Sequence, residues 1–245
     1  MIEKVITMNL ERRIDKLFFI VGALRVSGFP IHLGSFTWDD FLVRSVSHDG
    51  DLYTSAEAVC NAAVDDGFEW FSNFPSAFEG EEDSKYICAW TWTWASTLRK
   101  IAQLDRTVML LIDDTTPAFM WTYERYNGLA IQCASDSDFK VLQLGTHADR
   151  MSDKLPVPEL FTSIIGRGFM GEVNQGIILN KGGAELLLEA QATPPFVFPC
   201  RDMLKIMQWG QEDKKFFNGL YHTLDPVIDT NVIGESDLFP SYVPP

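Results

Sequence analysis

Thr107-Val108-Met109-Leu110-Leu111-Ile112-Asp113-Asp114 holds five consecutive apolar residues that end abruptly in two carboxylates. Thr115, Thr116 and Pro117 follow and oppose continuation as a helix. A short apolar run bounded by turn signals predicts a strand buried on both faces, as in the middle of a parallel sheet. In open α/β sheets the ligand crevice lies at the carboxyl ends of such strands. Two neighbouring aspartates there repel each other and resist desolvation unless a cation or hydrogen-bond donors neutralise them. The pair therefore reads either as a divalent-metal site that holds a diphosphate or as a solvated turn.

Upstream, Tyr86 to Ala102 carries Trp90, Trp94, Leu98 and Ile101 on one helical face, which predicts a helix leading into the central strand. Trp92 points away from that face and is the candidate for an exposed sugar platform. At the start of the chain, Val5–Leu10 predicts a first strand and Leu17–Val26 a helix stopped by Gly28 and Pro30. Arg12 and Arg13 fall where that strand ends, within reach of a phosphate or a uracil ring, or else are first-turn charges in water. Ser55–Val64 reads as a helix, Asp49-Gly50-Asp51 as a turn, and Glu79–Asp83 as an acidic loop.

Downstream, Leu129–Cys133, Phe139–Leu144 and Asn174–Leu179 predict strands, and Lys181–Leu188 a helix. The Gly-rich Ile165–Gly171 lacks phosphate-loop spacing and is a guess for a flexible lid. Residues 225–245 carry four prolines and little periodicity, so a tail that wraps the surface or is partly disordered is expected after a single domain over 1–224. The alternation of strands and helices gives an α/β class with a mostly parallel central sheet flanked by helices.

The chain has 245 residues, enough for one large domain or two small ones. The balance of 20 basic and 34 acidic residues gives a net charge of −14, which disfavours bulk binding to nucleic acid or anionic membrane. The longest apolar runs are too short to span a bilayer, so no stable membrane insertion is expected. Residues 1–5 lack the basic start and apolar core of a signal peptide, and the four cysteines (Cys60, Cys88, Cys133, Cys200) are far apart in sequence. A reduced, cytoplasmic compartment is expected.

Laid out in order, these segments resemble glycosyltransferases of the GT-A fold, and most nearly family 25, the lipopolysaccharide and collagen-type enzymes. That family's opening I-N-L-x-R-R-x-D-R is matched by Ile6-Thr-Met-Asn9-Leu10-Glu-Arg12-Arg13-Ile-Asp15-Lys16. Its G-C-A-L-S-H helix start is matched loosely by Ile87–Trp92, and its L-x-x-E-D-D metal motif by Leu110-Leu-Ile112-Asp113-Asp114. Its G-Y-x-I-S-x-x-G-A-x-x-L is matched by Gly176–Leu187. The family's histidine falls on Trp92 and its first acid on Ile112. Trp209-Gly-Gln-Glu212-Asp213 is similar to the W-G-x-E-D-D segment of β-galactosyltransferases, in which the acidic pair meets the acceptor.

The resemblance implies a single GT-A-type, Rossmann-like domain that moves a hexose from a nucleotide-sugar donor, UDP-linked by expectation, to an acceptor hydroxyl with inversion. The departing diphosphate needs a cation, and Mn²⁺ or Mg²⁺ on hard oxygen ligands supplies it. Asp114 supported by Asp113 would ligate it, with His222 completing the shell; an imidazole suits Mn²⁺ better than Mg²⁺. Asn9, Arg12, Arg13 and Asp113 are the expected donor-binding residues. Asp213 is the first candidate for the base that takes the acceptor's proton, with Glu212 and Asp202 behind it. The acceptor could be a glycan, a protein or a modified DNA base as in phage-type enzymes; the other reading is a non-catalytic protein of the same fold that binds a glycan or partner.

Overall fold

A computed structural model describes residues 1–31, 41–73, 84–145, 160–168, 176–193, 219–225 and 227–230. The β-branched start forms strand β1 (Lys4–Leu10), buried along its whole length. Helix α1 (Ile14–Val26) turns Leu17, Ile20, Val21 and Leu24 inward. It closes with Phe29 N–H donating to the Leu24 carbonyl and Gly28 N–H to that of Arg25, around a Gly28 φ of 79° that favours glycine. Next come β2 (Leu42–Ser47), α2 (Ala56–Asp65), α3 (Ser84–Leu104), β3 (Val108–Leu111), β4 (Thr115–Pro117), α4 (Tyr123–Ala134) and β5 (Val141–Gln143). The described part ends with β6 (Ile165–Arg167), β7 (Gly176–Leu179), α5 (Lys181–Ala192), β8 (Leu220–Thr223) and β9 (Ile228–Thr230).

Seven strands form one sheet in the order β2-β1-β3-β7-β5-β8-β6. β1 is parallel to β2 and β3, and β5 is parallel to β8. β7 is antiparallel to both β3 and β5, and β6 to β8, so five strands run one way and two the other. The fold is an α/β, mostly parallel mixed sheet flanked by helices, consistent with one Rossmann-like domain.

Side-chain alternation divides the core between the two faces. Ile6, Met8, Val108 and Leu110 pack under α3 and α5 with Trp90, Trp94 and Leu187. Val5, Met109, Leu111 and Leu142 pack under α1 and α4 with Leu17, Ile20, Tyr126 and Leu129. α2 lies outside α3 on a third cluster around Phe71, Cys88 and Trp92. The chain leaves β1 through α1 to one neighbour, β2, and returns through α3 to the other, β3, on the opposite face. The carboxyl ends of β1 and β3 thus flank the point where strand order reverses, which is where open α/β sheets place ligands.

Four expectations change. Leu129–Cys133 is helical within α4, because Tyr126, Leu129, Ala130 and Cys133 are the residues that face the core, a helical rather than a two-residue period. Trp92 is buried, its ring stacked on His48 at 3.4 Å and 6°. Ile165–Arg167, in the stretch guessed to be a lid, is a strand; residues 169–171 lie outside the described residues. Within the expected tail, Val227 and Ile228 are core residues, and β9 pairs antiparallel with β4, with Thr115 opposite Thr230. Residues 231–245 lie outside the described residues.

Candidate active site

Asp113 and Asp114 form the turn between β3 and β4, closed by Thr115 N–H donating to the Ile112 carbonyl. Neither carboxylate reaches solvent: Asp113 is 0% and Asp114 2% exposed. That excludes the solvated-turn reading. Burying two adjacent negative charges is costly, and the local structure offsets part of the cost. Lys16, only 1% exposed, brings its Nζ to 3.7 Å from Asp113 Oδ2. Thr115 Oγ1 donates to Asp114 Oδ1 at 3.3 Å. The compensation is incomplete. Desolvation first, and repulsion by Asp113 second, push the Asp114 carboxyl up to about 7, against the opposing pull of Lys16 and Thr115.

Asn9, at the carboxyl end of β1, is fully buried; its Oδ1 accepts from Arg44 Nη2 at 3.1 Å. The same Nη2 donates to the Leu10 carbonyl at 2.8 Å and the Glu11 carbonyl at 3.1 Å, so Arg44 clamps the end of β1 from the neighbouring strand. Among the described residues, Asn9 Nδ2, Thr7 Oγ1 and Arg44 Nε are buried without hydrogen-bond partners. All three lie in the last four residues of β1 or β2, on the face of the sheet shared with Val5 and Leu42. Orphaned polar atoms are rare in interiors, and a cluster beside a buried acid pair is chemistry suited to a polar ligand.

The arginines proposed for nucleotide contact are engaged with carboxylates of this chain. Arg12 Nε donates to Asp49 Oδ2 at 2.7 Å and Arg12 Nη2 lies 3.4 Å from Asp51 Oδ2, while Tyr86 donates to the other Asp51 oxygen at 2.6 Å. Arg13 makes a two-pronged contact with Asp15 at 2.9 and 2.8 Å. Both arginines stand at the expected edge, and a phosphate would have to compete with these acids for them.

His222, expected to close the metal shell, lies elsewhere. It sits on β8 opposite Gln143 of β5, and both β5 and β7 separate it from β3. Three strand spacings of about 4.8 Å put it roughly 14 Å across the sheet from β3. Its Nδ1 lies 2.9 Å from the Gly168 carbonyl, so that nitrogen carries the proton, and Nε2 is buried without a hydrogen-bond partner among the described residues. Burial lowers its pKa. Asp202, Glu212 and Asp213, the candidate bases, lie outside the described residues.

Among the described residues no group of three His, Cys, Asp or Glu side chains converges on one point. The donor set still suits a hard cation of the Mg²⁺ or Mn²⁺ kind, which commonly takes one or two carboxylates and fills its shell with water and substrate phosphate. The raised Asp114 carboxyl marks a place where positive charge is short. Of the two residues essential to this arrangement, Arg44 is absent from any motif reading, and Lys16 stands only as the last position of the opening motif, with no role assigned to it. The inward placing of Lys16 was legible, since 16, 20 and 24 share the inward stripe of α1. No helix among the described residues is long and apolar enough to cross a membrane. Comparison with protein-family models gives no match, and comparison with curated proteins gives none either.

Proposed function

We propose that this protein is a metal-dependent glycosyltransferase that moves a hexose from a nucleotide-sugar donor, UDP-linked in our reading, to an acceptor hydroxyl with inversion. The observation that carries the proposal is the buried Asp113–Asp114 pair at the point of strand reversal, beside the orphaned amide of Asn9. In this reading Asp114 is the principal carboxylate for Mn²⁺ or Mg²⁺, which when bound neutralises charge on the departing diphosphate. Asp113, already facing Lys16, holds its neighbour in place rather than competing for the cation. Asn9 Nδ2 offers a hydrogen bond to the donor, and Arg44 fixes the β1 end that presents it. The burial of the turn keeps water from the acid pair, which strengthens every electrostatic contact there. Asp213, with Glu212 and Asp202 as alternatives, takes the acceptor's proton.

A second reading, a non-catalytic binding protein of the same fold, draws support from the Lys16–Asp113 pair, which supplies one positive charge without a metal. The two separate in one experiment. Thermal shifts with a panel of nucleotide sugars, with and without Mn²⁺, are paired with an assay for donor hydrolysis. Metal-dependent turnover abolished by Asp114→Ala supports the enzyme; metal-independent binding without turnover supports the binding protein.

A further inference from the structure

Cys60 and Cys88 are 28 residues apart, in α2 and α3, yet their sulfurs lie 3.5 Å apart. Both thiols are free, and both are enclosed by Val59, Ala63, Phe71 and Ile87 of the same cluster. A disulfide requires the sulfurs to approach to about 2.0 Å, a shift of roughly 1.5 Å that side-chain rotation can supply when the two residues already face each other. We propose that Cys60 and Cys88 form an oxidisable dithiol that closes to a disulfide on exposure to a peroxide, stapling α2 onto α3.

Burial disfavours the thiolate at both sulfurs. Whichever of the two ionises is the attacking sulfur. Its thiolate takes one oxygen of the peroxide as the O–O bond breaks, and the other oxygen leaves as water after protonation. The resulting sulfenic acid is attacked by the other sulfur of the pair, which displaces the second oxygen as water. The two thiol protons end in the two waters, the sulfur pair gives up two electrons and the peroxide accepts them. Cys133 is a built-in contrast: burial raises it to about 12, and among the described residues it is paired with no other cysteine.

The staple lies in the layer that supports the edge of the candidate site. Asp66, just past α2, accepts from Trp92 Nε1 at 3.0 Å, and Trp92 stacks on His48 beyond the end of β2. The inference is independent of the proposed function, since it concerns only these two helices.

Full-length protein treated with hydrogen peroxide is examined by intact mass and by peptide mapping without reduction. The expected result is loss of the mass of two hydrogens and a Cys60–Cys88 linked peptide. The melting temperature is expected to rise by roughly 5–10 °C, a gain reversed by dithiothreitol. Both effects are expected to vanish in Cys60→Ser and in Cys88→Ser. Oxygen added to either sulfur without a cross-link, a link through another cysteine, or no change in mass overturns the proposal. The decisive reading is on the unaltered protein, so a poorly folding variant does not protect it.

Discussion

Lys16 Nζ and Asp113 Oδ2 stand 3.7 Å apart, with both side chains almost fully cut off from solvent. The ammonium enters on the inward stripe of α1 and the carboxylate on the turn after β3, so one contact ties the first helix to the central strand. The pair also determines how Asp114 behaves, since Lys16 is the cation whose field opposes its protonation.

Lys16→Met leaves both aspartates without that cation. A loss of roughly 3–5 kcal/mol in urea unfolding is expected, as for other buried pairs broken on one side. Adding Asp113→Asn recovers part of it, and strict additivity in the double-mutant cycle would count against the pair.

Asp114 has a folded-state pKa of about 7, above its ordinary 3.8, so the folded protein binds this proton more tightly than the unfolded chain. Its stabilising contribution is complete below the unfolded value and is lost as pH rises through about 7. Metal-free protein is expected to lose on the order of 4 kcal/mol from this group between about pH 4 and pH 8. Melting curves across that range test it: the slope flattens in Asp114→Asn. Mn²⁺, which favours the ionised carboxyl, is expected to stabilise more at the alkaline end than at the acid end.

His48 slopes the opposite way. Burial, partly offset by Asp66, lowers it to about 4, so its contribution is present above its ordinary 6.5 and is lost as pH falls towards about 4. Water still reaches the ring, which limits the effect to about 1 kcal/mol. His48→Phe keeps an aromatic face against Trp92, and its stability relative to the unaltered protein is expected to improve as pH drops. A constant difference across the window would reject the assignment.

A Cβ at Gly166 would lie 2.4 Å from His222 Cε1 and 2.5 Å from Nε2. Gly166→Ala must therefore push the imidazole off the Gly168 carbonyl, at a cost of roughly 1–3 kcal/mol. In a His222→Ala background the same substitution is expected to be nearly neutral, which denaturant titration of the four proteins will reveal.

Ile228 is 4% exposed and packs with the core beneath α1 and α4. Ile228→Ala is expected to cost roughly 2–4 kcal/mol, although the residue lies in a Pro-rich stretch. A thermal melt indistinguishable from that of the parent would return this segment to the status of a surface tail.

Much of the sheet was readable because local pattern and tertiary role agree. Val108–Ile112 is apolar at every position and is buried at every position. Trp90, Trp94, Leu98 and Ile101 share a helical face and one cluster. Legibility failed where the deciding partner is distant in sequence. Trp92 looked outward from its own helix, but His48 and α2 cover it. Leu129–Cys133 resembles a strand when only five residues are weighed, whereas Tyr126 supplies the missing helical turn. At the site, the acids were visible as a motif, but their burial was not, because the lysine that faces Asp113 comes from α1, far upstream in the sequence.

The antiparallel match of Thr115 with Thr230 has a consequence for biosynthesis. During translation the acid-bearing turn follows the third strand, while the strand that flanks β4 arrives only after all the other described strands. Until then β4 offers an unpaired edge next to the acid-bearing turn. A nascent chain halted after β8 would hold most of the sheet and still leave β4 without that partner.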